Sequence, residues 1–400
     1  MSSMTAAEPI YLDHAAATPL DPQVREAMLP YLRGKFANPS SLYRAARVSH
    51  EAVEQARRTL AGILGAKPTE IIVTSGSTES NNTAVQGVLR AYPGAHWVTT
   101  AIEHDAILAQ VEPLRRAGHP ATVVSVKLNG IADTEQVIGA ISDQTVLVSV
   151  MLANNEIGTI QPVAEITKRL ALIRQDRAKR GIQLPLYIHT DATQAAGYLD
   201  LHVARLGVDL LALNGSKIYG PKGTGLLYVR TGTRLEPLMY GGGQERGRRS
   251  GTENVAGVVG LAAALKLAAA GRDAESHRQA ALRDELWRRL QADLPDAIIN
   301  GDIKRRLPGN LNLTIPGADG EALVLYLDNA GVMASTGSAC STGSLDPSPV
   351  LLAIGRSSAE ANCSLRLTLG RGTTREQMNR VAEMIPAAVT RVRQVSTSNF

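Results

Sequence analysis

An alternation in the first half of the chain constrains its fold more than anything else. Short runs of β-branched and apolar residues alternate with longer amphipathic stretches. Residues 70–74, 97–100, 122–128, 146–152, 186–190, 210–213 and 225–229 read as strands; 77–92, 105–117 and 162–180 read as helices between them. In these strands apolar side chains occupy both parities, as they must in a strand buried on both faces. Such strands joined by helices argue for an α/β unit with a mostly parallel central sheet covered on both sides.

After about Thr252 the texture changes. Residues 254–270 and 274–292 are Ala/Leu/Arg-rich and helical. A strand at 310–315, a helix at 321–329, a strand at 364–369 and a last helix from 374 follow, with 302–308 as an exposed connection. That order suits a separate, smaller α+β unit.

Composition removes several functional classes. Lys+Arg 42 against Asp+Glu 37 leaves +5 spread along the chain, too dilute for a nucleic-acid-binding face. The longest apolar run, 255–265, is short of the roughly 20 residues a membrane span needs. Cys340 and Cys363 are the only cysteines, which excludes a disulfide framework and favours a reducing, cytoplasmic setting. The N-terminus lacks the apolar core of a signal peptide.

Several segments carry chemistry. Gly76-Ser77-Thr78 follows a strand and opens a helix, where free N–H groups and the dipole favour an anion. The competing reading is a Ser/Thr cap with Glu79 in the first turn. Lys217, just past a buried strand and among small residues, suits Schiff-base chemistry, whereas Lys222 between Pro221 and Gly223 suits an ordinary solvated role. Asp191 closes a strand at the sheet edge where open α/β sheets bind ligands. There it could hold a proton on a heterocyclic nitrogen; pairing with His189 as metal ligands is disfavoured for want of a larger His/Cys cluster. His104 could stack on a planar ligand, shuttle a proton, or merely cap the next helix. The Gly-rich segment 241–252, with three arginines, reads as a basic lid or an anion site. Residues 335–344 surround Cys340 with glycines and hydroxyl residues and read as a mobile surface loop, unlike the packing context of Cys363.

Taken in order, these segments make a resemblance. Tyr11-Leu12-Asp13-His14, Asn38-Pro39-Ser40-Ser41, residues 74–81, Glu103-His104, Asn154-Asn155-Glu156-Ile157-Gly158, Asp191-Ala192-Thr193-Gln194, residues 217–223, Arg249-Ser250-Gly251-Thr252, Gly337-Ser338-Ala339-Cys340 and Arg366 occur in sequence. The chain resembles class V, fold-type I pyridoxal-phosphate enzymes, and among them the NifS/IscS-type cysteine desulfurases. Each motif is weak alone; the ordered set, over about residues 10–391, is specific.

The resemblance implies a fold-type I enzyme. An N-terminal segment (1–20) would associate with the small domain, 21–260 would form the large pyridoxal 5'-phosphate-binding domain, and 261–400 the small domain carrying the cysteine loop. Lys217 would be the Schiff-base lysine, Asp191 the partner of the pyridinium nitrogen, and His104 the stacking residue and a partner in proton transfer. Ser77, Thr78 and Ser216 would hold the phosphate, and Asn155 and Gln194 would contact the cofactor or its adduct. Thr252 would reach the partner subunit's phosphate in a homodimer. Asn38, Asn155 and Arg366 would bind the substrate, and Cys340 would accept its sulfur. L-Cysteine would become L-alanine, with the persulfide passed to an acceptor protein such as an iron–sulfur scaffold or a thiolation relay. Selenocysteine lyase or another class V reaction remains open, as does a non-catalytic sulfur-relay subunit. Four positions depart from the family pattern: Ser216 and Asn214 stand where His and Ser are usual, and Leu152 and Tyr43 each replace a frequent His.

Overall fold

In the computed structural model, residues 8–337 and 346–397 are described. Twelve strands appear among them. They are β1 (Ile10–Tyr11), β2 (Ile71–Thr74), β3 (His96–Thr100), β4 (Ala121–Val124), β5 (Thr145–Ser149), β6 (Tyr187–Asp191), β7 (Leu210–Asn214), β8 (Gly225–Val229), β9 (Ile298–Ile299), β10 (Asn310–Thr314), β11 (Val332–Met333) and β12 (Ser364–Thr368). Seven form the central sheet, in the order β2-β8-β7-β6-β5-β3-β4. Four neighbouring pairs are parallel; β8 alone runs against its neighbours β2 and β7. The expected sheet is therefore present but mixed. Because β8 is the one reversed strand, the carboxyl ends of β2, β3, β5, β6 and β7 all open on one edge.

Both faces are covered, as doubly apolar strands require. Val73, Val98, Val148, Ile188, Leu211 and Leu213 face one core, and Ile72, Trp97, Leu147, Leu210 and Leu227 face another. A further core joins Leu311, Leu313, Leu365 and Leu367 to Ile10, Leu12 and the last helix, Arg375–Thr397. Two small sheets belong to this part: β12-β10-β9, antiparallel, and β1 with β11, parallel.

Several local expectations change. Residues 254–270 and 274–292 are one helix, Val255–Asp293. It passes through Gly271, which costs about 1 kcal/mol relative to alanine and does not by itself end a helix. The helix is apolar enough over one window to cross a membrane, but half of that window is buried inside the fold. Residues 105–117 split into Asp105–Leu108 and Val111–Arg116, because Pro113 cannot donate to the carbonyl at 109 and its ring crowds it. Residues 302–308 are not an exposed connection throughout. Arg306 and Leu307 are buried, and the Leu307 and Ile160 N–H groups bond the Gly158 and Arg305 carbonyls. The segment 241–252 is anchored rather than a free lid: buried Glu245 takes a two-pronged bond from Arg57 (2.7 and 2.9 Å) and a third from the Val73 N–H.

Candidate active site

The sheet edge forms a cavity of about 380 Å³, lined by residues that follow β2, β3, β5, β6 and β7. After β2, helix Ser77–Ala91 begins with Ser77 and Thr78 at the wall. The expected Ser/Thr cap is absent: Gly76 is the cap residue and no side chain satisfies the first turn. Glu79 is occupied elsewhere, by the Ser75 N–H (2.8 Å), the Ser75 hydroxyl (2.6 Å) and Arg249 (2.8 Å). The first-turn N–H groups are thus left for an anion. The turn sits against the start of β8. A Cβ on Gly225 would lie 2.7 Å from the Gly76 Cα, so only glycine permits this approach.

Asp191 ends β6, nearly buried. Its Oδ2 accepts from Asn81 Nδ2 (2.6 Å) and its Oδ1 from the Thr193 N–H (2.9 Å). Lys217 follows β7 and lines the same cavity; its Nζ donates to the Ala16 carbonyl. Asn214, at the end of β7, donates to Ser77 Oγ (3.3 Å) and accepts from the Ser216 N–H (3.0 Å). The asparagine that departs from the family pattern thus ties the lysine turn to the helix N-terminus. His104 follows β3 and caps the next helix, as one reading had it. Its Nδ1 accepts from the Ala106 N–H (3.0 Å), capping a helix, and the residue lines the cavity. That bond leaves the imidazole proton on Nε2.

Asn155, Gln194 and Arg366 complete the wall. Gln194 is oriented by its bond to the Ala15 carbonyl (2.9 Å). Arg366 reaches in from β12. It binds Asp13 (2.8 Å) and the Asn155 and Gly337 carbonyls (3.2 Å each), while its buried Nε has no acceptor among the described residues.

Other expected residues stand apart. Asn38 is exposed and does not line the cavity, because its Oδ1 closes a local turn on the Ser40 N–H (2.9 Å). Ser216 is absent from the lining, and its carbonyl is taken by Thr18. Thr252 is exposed, outside the cavity of its own chain. Cys340 lies outside the described residues, as does most of the 335–344 loop; Ser335, where the loop starts, is buried and exchanges backbone bonds with Arg366. Cys363 is half-buried, and burial pushes its thiol pKa up.

Residues that the sequence left without a role surround the site. Asn81 holds Asp191, and Asp13 holds Arg366. Both lay inside quoted motifs, but no spacing rule reveals a partner 110 or 353 positions away. Behind the wall, burial pushes the Glu103 carboxyl up to about 8, against hydrogen bonds from the Met151 N–H and Thr100. Burial lowers His189 to about 4, although Asp191 pulls the other way. Glu103 is thus held as a neutral acid and His189 as a neutral imidazole near pH 7.

The donor set fits pyridoxal phosphate on chemical grounds. Asp191 would hold a ring nitrogen, Lys217 an aldehyde, His104 a ring face, and the uncapped helix N-terminus at Ser77 and Thr78 a phosphate. Thr193 Oγ1, buried without a partner among the described residues, also belongs to this wall. Among the described residues, no three His, Cys, Asp or Glu side chains are grouped to hold a metal ion.

Comparison with known proteins agrees with this chemistry. The aminotransferase class-V family model matches residues 10–381. A protein of Dictyoglomus turgidum named cysteine desulfurase IscS is 43% identical over 389 residues, covering 97% of this chain and 96% of that protein. A solved NifS-like protein superposes with a TM-score of 0.87 at 31% identity, covering 96% of this chain and 99% of that one. Another, titled SspA in complex with cysteine, gives 0.76 at 34% identity, covering 90% and 98%.

Proposed function

We propose, from the premise that this chain belongs to the aminotransferase class-V family, that it is a pyridoxal-phosphate-dependent cysteine desulfurase which converts L-cysteine to L-alanine and leaves a persulfide on Cys340. One observation carries the reading: Gly337, three residues before Cys340, lines the same cavity as Lys217, Asp191 and Arg366. Only three residues of chain, at most roughly 10 Å, separate that wall from Cys340.

Bound there, pyridoxal phosphate supplies an electron sink for charge developed at the substrate Cα. The chain's own residues do the rest. The first-turn N–H groups with Ser77 and Thr78 take the phosphate, and Asp191 keeps a proton on the ring nitrogen. Arg366 binds the substrate carboxylate, using the Nε–H that has no acceptor among the described residues. With the cofactor bound, Lys217 Nζ would take the Cα proton and later return a proton to the same carbon, with His104 on the same cavity wall as a second proton-handling group. The Cys340 thiolate then attacks the substrate sulfur. The new S–S bond forms as the Cβ–S bond breaks, and the electron pair of the broken bond stays with carbon, which is protonated to give alanine.

The reading includes a homodimer, in which exposed Thr252 meets the phosphate of the partner's site. It also includes a thiophilic acceptor protein, of the iron–sulfur scaffold or thiolation-relay kind, and a cytoplasmic setting, supported by the two cysteines and their lack of a disulfide framework.

Cys340→Ser tests the proposal. It should hold pyridoxal phosphate and bind L-cysteine, yet release alanine and sulfide at least about 100-fold more slowly, because a hydroxyl is a poor nucleophile toward sulfur. Cys363→Ser should stay near wild type. Alanine and sulfide at the wild-type rate from Cys340→Ser would remove the persulfide step. Preferential release of selenide from selenocysteine would instead mark a selenocysteine lyase.

A further inference from the structure

Glu156 has no part in the chemistry above, yet it is deeply placed beside it. It follows β5 in the Asn154-Asn155-Glu156 run and is 7% exposed. Its backbone is fixed twice. The N–H bonds Asn154 Oδ1 (2.8 Å), and the carbonyl accepts from Asn310 and Asn312 of β10 (3.1 and 3.2 Å). Its carboxyl therefore has a set position, and two distant pieces of chain meet there. Ser348 Oγ donates to Glu156 Oε2 (2.6 Å). From the other side comes Gly337: a Cβ at that position would lie 3.4 Å from the same oxygen and 3.3 Å from Asn312 Nδ2. Gly337 holds φ +108°, which glycine adopts without strain, and its carbonyl accepts from Arg366 (3.2 Å). Ser348 in turn bonds the Leu351 N–H (3.2 Å), starting helix Pro349–Ala353.

Gly337 and Ser348 flank residues 338–347, which include Cys340. We propose that Glu156 is a positioning residue for the sulfur-accepting thiol: its carboxyl accepts from Ser348 on one side of residues 338–347 and lies close to Gly337 on the other. The proposal rests on the desulfurase reading and deepens it. Glu156 is not in the cavity lining, so it acts through Gly337 and Ser348 rather than on substrate. The charged and titratable groups it feels are Arg366, Asp105 and His104; β10 and Ser348 present uncharged partners. Burial pushes the carboxyl up to about 7, offset in part by the Ser348 bond and the Arg366 charge. A neutral amide that still accepts from Ser348 is therefore a fair substitute for much of its population.

The test uses holoenzyme in a Cys363→Ser background, so that iodoacetamide reports on Cys340. Three quantities are measured: the alkylation rate, the L-cysteine dissociation constant from cofactor absorbance, and single-turnover alanine release. Glu156→Ala and Ser348→Ala should each slow alanine release about 10- to 100-fold and shift alkylation by about threefold or more, while cysteine affinity moves less than about threefold. Glu156→Gln should stay within about threefold of wild type, and the Glu156→Ala/Ser348→Ala double variant should be no slower than the worse single one, as for two residues acting as a unit. Multiplying losses in the double variant, unchanged alkylation, or cysteine affinity falling in step with turnover would each overturn the proposal. Should Glu156→Ala not fold, Ser348→Ala and Glu156→Gln decide it. A wild-type protein that makes no alanine from cysteine sinks the desulfurase reading; a wild type that turns over, with multiplying losses, sinks only the role of Glu156.

Discussion

Two donors on two elements hold Asp191: the Asn81 amide from helix Ser77–Ala91 and the Thr193 N–H from the turn after β6. A carboxylate meant to face a ring nitrogen must be fixed in rotamer as well as in place, and the amide supplies that constraint. Hydrogen bonds to charged groups contribute about 1.5–3 kcal/mol, so Asn81→Ala should weaken retention of pyridoxal phosphate about tenfold or more. Equilibrium dialysis measures this; wild-type affinity in Asn81→Ala would show that Asp191 needs no such support.

For an element, the helix Ser77–Ala91 illustrates a trade between stability and binding. Its first turn has no side-chain cap, which leaves its own stability below what the sequence could supply. Ser77→Asp would place a carboxylate at that end of the dipole and should stabilise the cofactor-free protein by about 0.3–1 kcal/mol. The same charge would repel the phosphate, so cofactor affinity should fall by more than about tenfold. Thermal melts of the apoprotein and dialysis of the holoprotein should move in opposite directions. Parallel changes would mean that the phosphate does not sit at this helix.

Across the whole molecule, two buried acids make stability depend on pH. The folded Glu103 carboxyl is raised from 4.5 to about 8, and Glu156 to about 7, both chiefly by burial. A raised acid favours the fold fully below its unfolded pKa and loses that contribution as pH climbs through the folded value. The wild type should therefore lose stability between about pH 4.5 and 8 relative to Glu103→Gln, which keeps an acceptor for Thr100 and the Met151 N–H. The two should match near pH 4.5, and Glu103→Gln should be more stable by about 4–5 kcal/mol at pH 8–9. Denaturant melts at the two pH values check this; a constant difference would mean that Glu103 ionises normally in the fold.

Sequence alone determined the alternation of doubly apolar strands with helices, and hence a largely parallel, covered sheet, because burial on two faces leaves its mark at every position of a strand. It also offered Lys217, Asp191 and His104 as chemistry-bearing types, since each follows a strand in the sequence, and the structure puts all three on one cavity wall. Other features depended on groups far apart in the chain. Strand direction did: nothing local in β8 says that it runs against its neighbours. So did helix ends, where Gly271 fails to stop a helix that packing supports. The pairings Asn81–Asp191, Asp13–Arg366 and Glu156–Ser348 join residues more than a hundred positions apart, and hydrogen bonds of that kind exist only once the sheet edge has brought its strand ends together.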